Sequence, residues 1–321
     1  MSTSNLPMGQ VNAHVSDELV MRVGIPHKGG KLAFHAFREG YPAMVSANAF
    51  WNPKKGQFVV PEISDLYEVP FALDSAGFVA VSQFQAKGKQ AGMAGIYPWT
   101  AAQYLELASL LKPDWFSAPD LCCEPELLDS QEEIDFRINA TATLLEGTLQ
   151  TLYAWQNELA KTESASVIEN MLKPPVPVVQ GWKKSDYLRC LDLILEVWRR
   201  WEPWIAPPRL MGLGSVCRRS TDHPEHGLYA ILQALDGCLP EQTAFHLFGV
   251  KGSSLGQVKK LGWVKSVDSM AWDVGARIKA HKGAYSNTLA HRAQEMSRWM
   301  SAANERLVSG RGGQLDLQLS A

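Results

Sequence analysis

Short continuous apolar runs recur along the chain, and each stops on an acid, an amide or a small residue. They fall at 19–24, 43–47, Phe71–Asp74, 114–120, 175–181, 209–215, 244–249 and 263–269. Runs apolar at successive positions predict strands of a sheet covered on both faces. Between them the pattern lengthens to a helical period. Residues 99–111 carry leucines at helical spacing behind Thr100 as N-cap. Ser130-Gln131-Glu132-Glu133 reads as a capping box opening a long helix to about residue 161. Ser185 is placed to cap a helix whose Leu188, Leu191, Leu195 and Trp198 share one face, with Pro203 as its stop. Further helices are predicted over 224–235, just after Ser254, and over 284–307. Residues 51–60 read as a hairpin turning near Lys55-Gly56.

Alternating strands and helices without a second composition regime predict one α/β domain over 18–308 with a parallel sheet. A loose polar segment (1–17) precedes it and a flexible Gly/Gln-rich tail (309–321) follows. The length fits a (β/α)8 TIM-type barrel with an N-terminal β-hairpin elaboration. A doubly wound open sheet also collects its ligand at strand ends, but the chain has no GxGxxG or P-loop.

In a barrel the C-terminal strand ends meet at one mouth. Here those ends carry Asp74, Asp120, Gln180, Gly212, Gly214, Gly249 and Asp268. The stretch around Asp74 shows the logic. An apolar strand ends on an acid, Ser75, Ala76 and Gly77 leave room for close approach, and Phe78 offers a flat face. An unpaired carboxylate taken out of water costs several kcal/mol, so a recurring pattern of strand-end acids asks for a function. The set suits a flat polar heterocycle. Asp120 can accept two N–H donors, Gln180 and the backbone of 212–214 can donate to a ring carbonyl, and Phe78 and Phe248 can stack on the ring. Asp74 and Asp268 remain, and two carboxylates can replace a leaving group at an anomeric carbon: one attacks, the other handles the proton. Asp273, on the same segment, is the rival nucleophile.

Composition narrows the setting. With 46% apolar and 20% charged residues the chain is globular, and a net charge of −2 gives no general attraction to nucleic acid or anionic membranes. No apolar run is long enough to span a membrane, and residues 1–10 lack the features of a signal peptide. The five cysteines are odd in number with no CxxC spacing, so they read as free thiols and place the protein in the cytoplasm. His223 and His226 fit no common zinc spacing, and no metal or other cofactor is expected.

Leu73-Asp74-Ser75-Ala76-Gly77-Phe78 resembles the DSGGF/Y motif of the tRNA-guanine transglycosylase family. Val178-Val179-Gln180-Gly181 resembles its VQGG segment, and Gly212-Leu213-Gly214 sits where that family has a glycine-rich base-binding turn. His246-Leu247-Phe248-Gly249 followed by Val267-Asp268-Ser269 resembles its HLFG…FDS pairing. The resemblance runs in order from Phe71 to Ser269. It implies Asp268 as nucleophile, Asp74 as general acid/base, Ser75, Asp120, Gln180, Gly212 and Gly214 around the base, and Phe78 and Phe248 on its faces. The tRNA enzymes carry a zinc site of three cysteines and a histidine after the nucleophile. This chain has no cysteine beyond Cys238, so no zinc-binding subdomain is expected. The segments 212–219 and 267–273 look more like the DNA-modifying DpdA branch. That branch implies exchange of guanine in DNA for a 7-deazaguanine such as 7-cyano-7-deazaguanine. DNA and the free base are then the partners, with room for a helper protein that opens the duplex.

For the phosphates the candidates are Arg218 and Arg219, just past a strand end, and Lys251, Lys259, Lys260 and Lys265, close in sequence to Asp268. Three other functions fit the same residues: transglycosylation on tRNA, against which the missing zinc ligands count, a non-catalytic barrel that only binds nucleic acid, and an unrelated barrel hydrolase that acts on a nucleoside with water in place of the incoming base. The presence of both Asp74 and Asp268 counts against the second.

Overall fold

A computed structural model describes residues 5–26, 31–62, 64–128 and 130–308. The expected tail, 309–321, and residues 1–4 lie outside the described residues. The chain runs β1 (Val20–Ile25), α1 (Lys31–Arg38), β2 (Ala43–Ser46), β3 (Trp51–Asn52), β4 (Gln57–Phe58), β5 (Phe71–Asp74), α2 (Gly77–Lys87), α3 (Ala101–Leu111) and β6 (Trp115–Phe116). It continues α4 (Gln131–Leu159), α5 (Ala165–Met171), β7 (Val178–Val179), α6 (Lys184–Arg200), β8 (Leu210–Leu213), α7 (Leu228–Leu235) and β9 (Ala244–Leu247). Last come α8 (Leu255–Val258), β10 (Val264–Ser269), α9 (Ala271–Lys282) and α10 (Leu289–Val308).

Eight strands form one curled sheet in the order β6-β5-β2-β1-β10-β9-β8-β7, parallel at every step. The expected barrel is thus present as a TIM-like parallel α/β sheet whose ladder is interrupted between β6 and β7. A single parallel bridge, Ser117 with Val176, stands at that seam. Val176 donates to Phe116 O and accepts from Ala118 N, both at 2.7 Å. Pro177, next along the strand, turns to the other side, where its carbonyl accepts from Gly212 N of β8 at 2.8 Å. β3 and β4 pair antiparallel as the expected hairpin, joined through Lys55 and Gly56.

Strand alternation sorts the side chains. Val23, Val45, Leu73, Phe116, Leu213, Leu247 and Val267 join the core between sheet and helices. Met44, Ala72, Trp115, Val176, Leu210 and Ala244 form a second, smaller cluster inside the curl, with Phe248 packed against it. The same parity turns Ser46, Asp74, Gly214 and Asp268 toward the lumen at the C-terminal strand ends. The N-terminal strand ends are closed by part of the stretch expected to be loose. Gly9 and Gln10 donate to Pro203 O and Trp204 O, while Asn12 donates to Leu210 O at 2.8 Å and accepts from Arg209 N at 3.0 Å.

Thr100 and Gln103 form a reciprocal capping box on α3, and Ser130 accepts from Glu133 N on α4, as expected. Ser185 does not cap α6. Asp186 does so instead, accepting from Trp182 N at 3.1 Å and Lys183 N at 2.8 Å. α7 begins at Leu228, because 223–227 is a turn organised by the His223 ring, which accepts from Glu225 N and His226 N. The last helix starts at Leu289 and is preceded by the unanticipated α9. Among the described residues no helix is long and apolar enough to cross a membrane.

Candidate active site

Asp74 ends β5 and sits in register with Ser46 of β2. Its Oδ2 accepts from Ala76 N at 3.1 Å. Ala76 takes the left-handed conformation (φ 70°), and this sharp turn starts α2 immediately after the acid. The buried Ser46 hydroxyl faces the carboxylate without closing a well-formed hydrogen bond to it. Burial, with repulsion from Asp120 and Asp268, raises the Asp74 pKa to about 7.

Asp120 lies on the loop after β6 and is held from several sides. Ser75 Oγ donates to Oδ1 at 2.7 Å and Gln180 Nε2 donates to Oδ2. The Tyr97 hydroxyl clamps its backbone, donating to the carbonyl at 2.7 Å and accepting from the N–H at 3.0 Å. Burial, assisted by repulsion from Glu124, brings the Asp120 pKa to about 6 against the lowering effect of Ser75 and Gln180.

Gln180 is fixed at both ends of its amide. Ser215 Oγ donates to Oε1 at 2.6 Å, which leaves the NH2 group facing Asp120. Ser215 Oγ also accepts from Cys123 N at 2.6 Å and lies 3.0 Å from Glu124 Oε2. Burial pushes the Glu124 carboxyl above its usual range, against the lowering effect of Ser215 and Arg219. A Cβ at Gly214 would strike the Gln180 amide, so glycine is required there for the amide to sit as it does. One Gln180 N–H remains beside the free lone pairs of Asp120. A donor next to acceptors complements the carbonyl, imino and amino edge of guanine.

Asp268 lies near the end of β10 with its side chain in the lumen and is 8% exposed. Its Oδ1 accepts from Gly249 N at 2.9 Å and lies 3.3 Å from His246 Nε2. Asp273, by contrast, is on α9 and ion-paired with Arg277 at 3.0 Å and Arg292 at 2.5 Å. That pairing ties it to α9 and α10.

The family model of DpdA, DeoxyPurine in DNA protein A, matches residues 61–309. The chain belongs to the DpdA family. Membership makes it a transglycosylase of a group that modifies DNA. No curated protein matches the chain.

The remaining expected residues of this DpdA protein divide. Phe78, in the first turn of α2, is exposed, with the Arg218 guanidinium 5.9 Å from its ring centroid. Phe248 packs edge-on to His246 and Trp115, and a Cβ at Gly212 would lie 2.5 Å from its ring. Lys251, past β9, reaches Arg219 O at 2.8 Å. Arg219 is a correction: it is 3% exposed, stacked 3.9 Å over Trp182, and bonded to the carbonyls of Ser215, Trp182, His226 and Gly181. No hydrogen-bonding face is left for a phosphate. Lys259, Lys260 and Lys265 are further corrections. The first two follow α8 where the chain returns to the start of β10, and Lys265 bonds Asp17 O beneath β1. They sit at the end of the sheet opposite Asp74 and Asp268.

The sequence assigns no role to Tyr97, Ser215, Glu124, Arg22 or, though it opens a motif, to His246. A signal existed for the last two, each a polar residue at an inward position within an apolar strand. Glu124 and Tyr97 lie in loops with no periodicity to mark them. Among the described residues no three of His, Cys, Asp and Glu gather as a metal-binding group.

Proposed function

We propose that the chain is a DNA-guanine transglycosylase that exchanges guanine in DNA for a 7-deazaguanine, such as 7-cyano-7-deazaguanine. In this reading the curled sheet works as a (β/α)8 barrel with the exchange at its mouth. The observation that carries it is the pair of lumen acids with opposed environments. Asp74 is pushed up to about 7, partly by Asp268 itself, while two N–H donors address one oxygen of Asp268. Such a division separates a proton carrier from a nucleophile.

The target nucleotide leaves the stack and enters the mouth. Its guanine edge meets Asp120 and Gln180, with Phe78 and Phe248 beside the ring. Asp268 attacks C1′, the glycosidic C–N bond breaks, and protonated Asp74 gives the departing base its proton. The free 7-deazaguanine takes the vacated place. Its ring N–H proton passes to Asp74, the nitrogen attacks C1′, and the C1′–O ester to Asp268 breaks. Two displacements retain configuration at C1′. Arg218, on the rim beside Phe78, is the first candidate for a phosphate contact, and Lys251 the second.

The test is incorporation of labelled guanine and 7-cyano-7-deazaguanine into duplex DNA and into tRNA, in parallel. Label in DNA alone, abolished in Asp268→Ala and Asp74→Ala, is the expected result. Label in tRNA moves the protein to the RNA branch. Tight DNA binding without incorporation, even with an opened duplex, supports a binding-only role.

A further inference from the structure

The two carboxylate oxygens of Asp268 are not equivalent. Oδ1 takes the Gly249 N–H at 2.9 Å and faces His246 Nε2 at 3.3 Å, whereas Oδ2 has no hydrogen-bond partner among the described residues. His246 is itself fixed. It is fully buried, its Nδ1 lies 2.9 Å from Ser266 Oγ, and its ring is packed edge-on by Trp115 at 4.9 Å and Phe248 at 4.6 Å. Ser266 and Asp268 are alternate residues of β10, so strand parity brings both to the same face and to the two ring nitrogens.

A carboxylate only accepts, so the proton of a neutral imidazole must lie on Nε2, and Ser266 then donates to Nδ1. The charged groups facing the ring are Asp268 and Arg22 of β1, the register partner of Asp268. Burial lowers the His246 pKa and the Arg22 charge adds to this, while Asp268 opposes it. The ring therefore stays a neutral donor.

Resting on the transglycosylase reading, we infer that His246, locked in its tautomer by Ser266, is a positioning residue that holds Asp268 Oδ1 and leaves Oδ2 as the attacking atom. In the glycosyl-enzyme Oδ2 is the ester oxygen bonded to C1′ and Oδ1 the carbonyl oxygen. When the incoming base breaks the C1′–Oδ2 bond, negative charge returns to the carboxylate and Oδ1 takes its share. The Gly249 and His246 N–H groups are already aimed there, so the second displacement gains from their stabilisation of the returning charge, and the first gains from the orientation they impose on Oδ2.

The experiment compares His246→Gln, which keeps an N–H near the Nε2 position, with His246→Phe, which fills the space without one. Thermal melts accompany both, and exchange into DNA is followed with capture of the covalent adduct. His246→Phe is expected to lose roughly 100-fold in kcat and in the rate of adduct formation with KM little changed. His246→Gln is expected to recover most of that loss, and Ser266→Ala to fall between them. Equal activity of the Phe and Gln variants overturns the inference, as does equal loss in both, which would make ring volume the requirement.

Imidazole nitrogen NMR of the unreacted enzyme gives a readout independent of turnover. The expected spectrum has Nε2 protonated and Nδ1 bare at about pH 7 and above, changed by Asp268→Ala. The opposite tautomer, or a ring that titrates in that range, overturns the inference. A wild type with this spectrum but no adduct on DNA points instead to failure of the transglycosylase reading, and the role in attack falls with it.

Discussion

A methyl group on Gly77 would sit 2.6 Å from the Asp120 carbonyl oxygen and 2.9 and 3.0 Å from its two carboxylate oxygens. The first turn of α2 thus lies directly against the acid that would read the base. The helix N-terminus adds favourable partial charge where Asp120 holds its negative charge. Gly77→Ala must therefore move either the helix or the acid. The expected outcome is a KM for the free base raised at least tenfold, with DNA affinity by gel shift unchanged. An unchanged KM would mean that Asp120 does not meet the base.

Asp74 makes stability depend on pH in a definite direction. A carboxyl whose folded pKa lies above its unfolded value holds its proton more tightly in the folded state. Its contribution is full below the ordinary aspartate range and is lost as pH rises toward about 7, with Asp120 adding the same trend toward about 6. Asp74→Asn removes the first of these losses. Its Tm should exceed that of the wild type at about pH 8, with the difference shrinking toward pH 4. A difference independent of pH would show that Asp74 is not held as an acid.

The same group sets the rate profile. In the proposed exchange, departure of guanine needs protonated Asp74, and entry of the new base needs it ionised. Exchange should therefore peak near the Asp74 pKa of about 7 and fall on both sides. In Asp74→Asn that dependence should vanish along with most of the activity. Single-turnover release of guanine should be favoured by lower pH, and resolution of a trapped adduct by higher pH.

Arg218 and Arg219 are neighbours in sequence with opposite fates. The left-handed backbone at Arg218 (φ 58°) belongs to a turn in which Arg218 reaches toward Phe78 while Arg219 goes inward beneath Trp182. Arg218→Ala should weaken DNA binding and reduce the salt slope by about one. Arg219→Ala should instead lower Tm, because four carbonyl oxygens lose their donor. A large loss of salt dependence in Arg219→Ala with full stability would reverse the two assignments.

This pair also shows where sequence reading reaches its limit. Asp74 and Asp268 were legible because an acid that ends an apolar strand stands out, and parallel topology carries strand ends to one side. Asp120 and Gln180 were legible for the same reason. Which way a side chain turns out of a loop is set by backbone torsions and by neighbours remote in sequence. Arg219 is fixed by Trp182, Tyr187 and His226, none of which its local sequence announces. Lys265 was misplaced because closeness to Asp268 in sequence was read as closeness in space. Three steps along a strand, from Lys265 to Asp268, separate the floor from the mouth by about 10 Å. The helices α2 and α9 escaped notice because each begins directly after a strand, without a side-chain cap to mark its start.

Ser215 gives the sharpest test of how the base is read. Its hydroxyl donates to Gln180 Oε1 at 2.6 Å and so decides which end of the amide faces Asp120. Without that donor, Oε1 loses its partner and the amide can rotate to place oxygen where a donor to the ring carbonyl should be. Ser215→Ala should then raise KM for guanine-type bases, whereas a purine lacking the ring carbonyl should be affected far less. Loss of one neutral hydrogen bond sets the scale at about 1 kcal/mol, a factor of five to ten in KM. Gln180→Glu extends the test. A carboxylate facing Asp120 is repelled unless it is protonated, so base binding should improve as pH falls, whereas in the wild type protonation of Asp120 near about pH 6 removes acceptors and weakens it. If Ser215→Ala discriminates between bases as the wild type does, the Gln180 amide is held by something other than Ser215 and Asp120.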